Sequence, residues 1–221
     1  MTAPTTITAI DRLAGRHRLA IFGGFHPGAD DNCPDGTGTL LLIGPSEPGF
    51  WAHVTAQPEW RDGAPDPIDR WSKRTLGEIA GVIGGRALFP SDGPRYWPFF
   101  QWALRTRRAW QSPVTLLVHD QAGLMVSFRG AITLPDKIVL PEGSADSPCA
   151  SCPGQPCLSA CPPRALTGKG YDLPDCHAFL DRPEGAGCLS SGCAVRRACP
   201  LSRGYGRLPE QSAYHMGKFH R

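Results

Sequence analysis

The chain has no apolar run approaching the roughly 20 residues that a membrane span needs. Its N-terminus, Met1 to Ile10, also lacks a basic segment followed by an apolar one, so neither a membrane span nor an export signal is expected. Charge of one sign is scarce as well. A formal net charge of +3 is too small to argue for nucleic acid, and the basic residues form no run beyond Arg105, Arg107 and Arg108, which read as a solvated helix end. There is no phosphate loop, no nucleophile paired with a base and no dinucleotide fingerprint; Ile21 to Phe25 has glycines without their spacing. No repeat of fixed period appears. These absences leave a chain read as cytoplasmic.

Glycine (26) and proline (23) together exceed a fifth of the 221 residues, so turns and loops make up much of the chain. Leu19 to Phe25 and Thr39 to Ile43 are short apolar runs bounded by glycine or proline and read as buried strands. Phe50 and Trp51 suggest a short helix between Pro48 and Ala56. The clearest helix begins at Asp66 as cap, with Pro67 at the first position and Asp69 at the third. Its apolar face is Ile68, Trp71, Leu76, Ile79, Val82 and Ile83, and it ends at Gly84-Gly85. A second helix runs from Pro98 to about Arg107 with Phe99, Trp102 and Ala103 inward. Val114 to His119 and Met125 to Leu134 read as a hairpin around Asp120 to Gly123.

From Pro135 to Pro148 the composition turns to Pro, Glu, Gly, Ser and Asp, as in a linker. Two domains are expected: an α+β domain over 1–140 and a small cysteine-rich domain over 141–221. In the second, regular structure is expected to be scarce until a tail helix, Pro209 to Phe219, with Tyr214 and Phe219 packing back.

Nine cysteines in a chain of this kind favour metal binding over disulfides. Cys33 sits alone in a turn-rich stretch and reads as an incidental thiol. The other eight form two groups: Cys149-x2-Cys152-x4-Cys157-x3-Cys161-Pro162, and Cys176-x11-Cys188-x4-Cys193-x5-Cys199-Pro200. The bacterial two-cluster pattern is C-x2-C-x2-C-x3-C-P, in which the fourth cysteine of each run ligates the other cluster. The gaps here are longer. By the crossing rule, one [4Fe-4S] cluster takes Cys149, Cys152, Cys157 and Cys199, and the other takes Cys176, Cys188, Cys193 and Cys161. Four-thiolate zinc sites accept some of these spacings too, and disulfides are a third reading. Small residues such as Ala150, Ser159 and Ser190 let backbone N–H groups approach sulfur. Arg196 and Arg197 either offset the charge of thiolate-bound iron or face water.

The strings Cys157-Leu-Ser-Ala-Cys161-Pro-Pro-Arg-Ala-Leu166 and Cys176-His-Ala-Phe-Leu180, with the Cys188 to Pro200 run, resemble the ferredoxin domain of epoxyqueuosine reductases. The chain also resembles, over nearly its whole length, small proteobacterial proteins called ferredoxins. That likeness includes Glu47 to Trp51, Asp69 to Trp71, Trp102 to Arg105 and Val118 to Asp120. Leu116 to Leu134 is similar to the cobalamin-binding segment of epoxyqueuosine reductase and of a cobalamin-trafficking protein. There His119, Gly123, Arg129 and Gly130 match H-x3-G-x5-R-G. The resemblance implies a nitroreductase-like first domain in which a corrinoid lies near this hairpin, within electron-transfer reach of the clusters. The helical-repeat region that engages transfer RNA in the reductases has no counterpart here, so no transfer RNA partner is expected.

Arg129 next to Gly130 in an apolar stretch is either a ligand contact or part of a solvated strand face or structural ion pair, and His119 reads first as a hydrogen-bonded structural residue. Asp120 is the available carboxylate, though a turn aspartate usually bonds backbone. His26 and His53 have no metal-ligand partner at a telling spacing. The leading expectation is an electron carrier that serves a redox partner protein. Its rivals are a cluster-fed reductase of a bound corrinoid or flavin, and a zinc-stapled protein without redox activity.

Overall fold

Leu40, Leu41, Leu42 and Ile43 are fully buried, which only a strand covered on both faces achieves. They belong to a computed structural model that describes residues 6–94 and 96–220; the first residues of the Met1 to Ile10 stretch lie outside the described residues. In chain order the elements are α1 (Ile7–Gly15), β1 (Leu19–Phe25), β2 (Thr39–Pro45), α2 (Phe50–Thr55), α3 (Pro58–Arg61), α4 (Pro67–Val82), β3 (Arg86–Leu88), α5 (Phe99–Arg105), β4 (Ala109–Gln111) and β5 (Leu117–His119). They continue with β6 (Gly130–Leu134), β7 (Leu166–Thr167), β8 (Gly170–Tyr171), α6 (Leu173–Leu180), α7 (Ala186–Ser191), α8 (Ala194–Ala198), α9 (Pro200–Gly204) and α10 (Pro209–Phe219). The fold is mixed α+β. No described helix is long and apolar enough to cross a membrane.

The chain divides into two compact units. The first runs through Arg108 and takes in Ser127–Ser144; the second is Ala109–Val126 with Ala145–Arg221. In place of the expected single boundary between residues 140 and 141, the chain crosses between units three times. The physical reason lies in Ala109–Val126, whose buried Val114, Val118 and Leu124 share a core with Cys157, Leu166, Val195 and Cys199.

The first unit is built on an antiparallel sheet of order β1-β2-β6-β3. Strand β1 bulges between Ile21 and Gly23, which lets Phe22 turn edge-on to Phe128 at 6.3 Å between ring centroids. Helix α4 packs on β3 and β6 with Ile68, Trp71, Leu76 and Ile79 buried, and Trp71 meets Phe50 at 5.6 Å. Pro67 opens α4, while Asp66 takes a left-handed φ of 52° and supplies no side-chain cap. Val82, the last residue of the helix, is 74% exposed, and Ala80 is buried instead. In α5, Phe99, Trp102 and Ala103 are buried as expected, and the Trp102 indole N–H donates to the Asp31 carbonyl at 2.7 Å. Arg105 is paired with Asp31 at 3.0 Å, so the expected solvated helix end is partly an ion pair.

The expected hairpin of Val114 to His119 with Met125 to Leu134 does not form. Strand β5 pairs with β4, and β6 pairs with β2 and β3. Met125 and Val126 are both buried, yet residues 125–129 form no strand.

In the second unit, more of the chain is regular than its composition suggests. The hairpins β4-β5 and β7-β8 sit among five short helices, of which α10 packs on α7. Helix α6 is capped by Asp172, whose carboxylate accepts from the Asp175 N–H at 2.9 Å. Helix α10 covers Pro209–Phe219, and Phe219 stacks on His177 at 4.7 Å although it stays partly exposed.

Candidate metal centre

All nine cysteines are free thiols. Cys149, Cys152, Cys157 and Cys199 line one small cavity, with Val118 and Leu124 on its apolar wall. Three kinds of local structure bring the four together. Cys149 and Cys152 lie in one turn, closed by the Cys152 N–H donating to the Cys149 carbonyl at 3.3 Å. Cys157 is carried on a single helical turn, Pro156–Leu158, and Cys199 is the residue that ends α8 and precedes α9. Pro200 therefore opens a helix instead of merely ending a turn.

Cys161, Cys188 and Cys193 all lie close enough to Cys176 to raise its thiol pKa, although burial is the larger cause. This is the second gathering. Cys176 is on α6 and Cys188 on α7, while Cys193 precedes α8. The Tyr171 hydroxyl donates to Cys176 Sγ at 3.3 Å, and the Leu166 N–H donates to Cys161 Sγ at 3.4 Å. Both are donors to sulfur of the kind that tunes thiolate-bound groups.

Helix α8 explains how close neighbours in sequence join different sets. Cys193 and Cys199 stand at its two ends. Six residues at helical rise separate them by about 9 Å.

Electrostatics in the two sets follow from burial. Burial pushes the Cys149 and Cys157 thiols up, and Cys157 is raised further by Cys149, Cys199 and Cys152. Deprotonating all four together in an apolar pocket would set like charges against one another, a cost that a bound cationic group relieves. Arg196 is half-buried, donates from Nη1 to the Leu124 carbonyl at 2.6 Å, and lies within electrostatic reach of Cys193 and Tyr171. Arg197 is exposed and donates to the Gly192 carbonyl at 2.9 Å. Among the described residues no three His, Cys, Asp or Glu side chains converge tightly enough to hold a single metal ion.

The residues of the H-x3-G-x5-R-G string divide between the units. In the second unit, His119 and Gly123 exchange backbone hydrogen bonds at 3.0 and 2.9 Å. His119 is fully buried, and its Nδ1 accepts from the Gln121 and Ala122 N–H groups at 3.2 and 3.3 Å. Asp120 Oδ1 lies 3.1 Å from the same nitrogen. Gly123 has φ +56°, and a Cβ there would fall 2.5 Å from Ser202 N and 3.0 Å from Cys199 Sγ.

In the first unit, a Cβ on Gly130 would fall 2.6 Å from Leu76 Cδ1 and 2.9 Å from the Leu88 carbonyl. Arg129 has a largely buried side chain, lies 4.0 Å from Asp69, and donates its backbone N–H to the Ile43 carbonyl at 2.8 Å. Both glycines thus have packing reasons within their own units.

The remaining candidates are structural. His26 bonds the Ile138 carbonyl at 2.9 Å, and His53 packs on Trp71 with burial lowering its pKa. Burial, helped by Asp31, pushes the isolated Cys33 thiol up to about 11.

Sequence reading passed over Ser112 and Tyr171. Neither had a local signal: Ser112 lies far ahead of Cys149, the first of the eight grouped cysteines, and Tyr171 precedes Cys176 by a spacing tied to no motif. Comparison of the chain with protein-family models, with curated proteins and with solved structures finds no match in any of the three.

Proposed function

We propose that the chain is an electron-transfer protein whose second unit holds two [4Fe-4S] clusters and exchanges electrons with a redox partner protein. The observation that carries this reading is the gathering of eight thiols into two interleaved sets, one of them around an apolar cavity. The sets have the same membership as the crossed pattern of two-cluster ferredoxins. Bound there, each cluster supplies one-electron uptake and release, with no bond chemistry asked of the side chains.

The protein's part is to hold, insulate and tune. The eight cysteines supply thiolates, and Val114, Val118, Leu124 and Val195 exclude water from the first set. Tyr171 and the Leu166 N–H donate to sulfur in the second, while Arg196 offsets charge near Cys193. A nitroreductase-like identity for the first unit rests on the H-x3-G-x5-R-G string alone. Since Gly123 and Gly130 have packing roles, the proposed electron path includes no corrinoid or flavin.

The test is anaerobic purification followed by iron, sulfide and zinc analysis and electron paramagnetic resonance of the reduced protein. A brown protein with about eight iron atoms per chain and two interacting reduced-cluster signals is the expected result. A colourless protein with stoichiometric zinc and no iron overturns the proposal.

A further inference from the structure

Ser112 lies in the loop between β4 and β5 and lines the cavity that holds Cys149, Cys152, Cys157 and Cys199. It is 5% exposed. Its backbone is already engaged: the N–H donates to the Leu116 carbonyl at 2.8 Å, and the Thr115 N–H donates to its own carbonyl at 2.9 Å. Its hydroxyl is not, for Oγ is buried and has no hydrogen-bond partner. A buried hydroxyl in that condition is unfavourable, and native proteins keep few of them without a reason. The apolar wall, Val118 and Leu124, cannot accept from it.

The second cysteine set shows what such a hydroxyl is suited to do, because there the Tyr171 O–H donates to Cys176 Sγ. We propose that Ser112 plays the corresponding part for the first set, donating from Oγ to a sulfur of the iron–sulfur group held by Cys149, Cys152, Cys157 and Cys199 and raising its reduction potential. This rests on the two-cluster reading above. One electron enters from a low-potential reductant, no bond breaks, and the proton stays on Oγ. Added negative charge on sulfur strengthens the hydrogen bond, so the reduced state gains more from it than the oxidised state does. Ser112 is thus a positioning residue that sets a potential; it is not a ligand.

The experiment is a mediated redox titration of the anaerobic full-length protein, followed by electron paramagnetic resonance, for the parent, Ser112→Ala and Ser112→Thr. In Ser112→Ala the iron content should be unchanged and one of the two midpoints should fall. A tenfold drop in the reduced-to-oxidised ratio at fixed potential corresponds to about 59 mV for a one-electron couple. The other midpoint should stay put, and Ser112→Thr should restore the first. Identical midpoints in Ser112→Ala and parent, at full iron content, overturn the inference while leaving the two-cluster reading intact. A parent without iron overturns that reading instead. Should Ser112→Ala fail to fold, Ser112→Gly removes the same hydroxyl and carries the same two outcomes.

Discussion

Replacing Gly123 by alanine adds one methyl group beneath Cys199. Its φ of +56° lies where a side chain costs roughly 1–2 kcal/mol. The new Cβ would sit 2.5 Å from Ser202 N, 2.7 Å from Ser202 Oγ and 3.0 Å from Cys199 Sγ. The first of these is backbone, so the start of α9 must retreat, and overpacking of that kind costs about 1–3 kcal/mol. It also strains the hydrogen bond from the Leu124 N–H to Ser202 Oγ, 2.9 Å in the parent. The expected loss is therefore about 2–5 kcal/mol, a large share of a stability of roughly 5–15 kcal/mol. Anaerobic urea denaturation of parent and variant, with no corrinoid or flavin in the buffer, measures it. Iron analysis of the same samples should show the variant falling toward half occupancy as Cys199 is displaced. If Gly123 serves only cofactor contact, stability is unchanged under these conditions. A loss below about 0.5 kcal/mol at full iron content refutes the packing argument, since substitutions that strain nothing fall within that range.

Cys193→Ser and Cys199→Ser are expected to erase different resonance signals and each to leave about half the iron, because the two residues end a single helix yet serve different sets. Loss of the same signal in both variants breaks the crossed arrangement. Glu59→Gln is expected to destabilise the first unit by about 0.2–1 kcal/mol at neutral pH, since it removes the ion pair with Arg74 that holds the Glu59 carboxyl below its ordinary value of 4.5. A depressed carboxyl contributes fully above its unfolded pKa and loses that contribution as pH falls through the folded value. The gap between parent and Glu59→Gln in chemical denaturation should accordingly close below pH 4.5, and a gap independent of pH would show that the pairing is not its source.

Several elements were legible because their signals are local. The strand runs at Leu19 and Thr39, the proline-opened helices at Pro67 and Pro209, and the inward Phe99, Trp102 and Ala103 all follow from apolar spacing and start signals within one element. Strand β4 was not legible, since three residues give no period to count. Neither was the pairing of β6 with β2 and β3 across long stretches of chain, because contacts between distant segments are set by which apolar faces fit together. Met125 to Arg129 misled for the same reason: the apolar Met125, Val126 and Phe128 look like part of a strand, but the strand begins only at Gly130. Helices α6 to α9 are short and rich in glycine and proline at their borders, so ligand-bearing loops and helices could not be told apart there.

The sequence by itself determined that eight cysteines fall within fifty-odd residues, that two of them precede proline, and that their order allows a crossed pairing. Tertiary structure decided the gathering, because thiols from separate turns meet only when the elements carrying them pack. It put Cys199 with Cys149, Cys152 and Cys157 around one cavity, assigned Ala109–Val126 to the cysteine-bearing unit, and left the Ser112 hydroxyl buried without an acceptor beside those sulfurs. Spacing fixes which ligands can reach one another along a chain. Which wall they share is a property of packing, and packing is the sum of contacts that no single stretch of sequence contains.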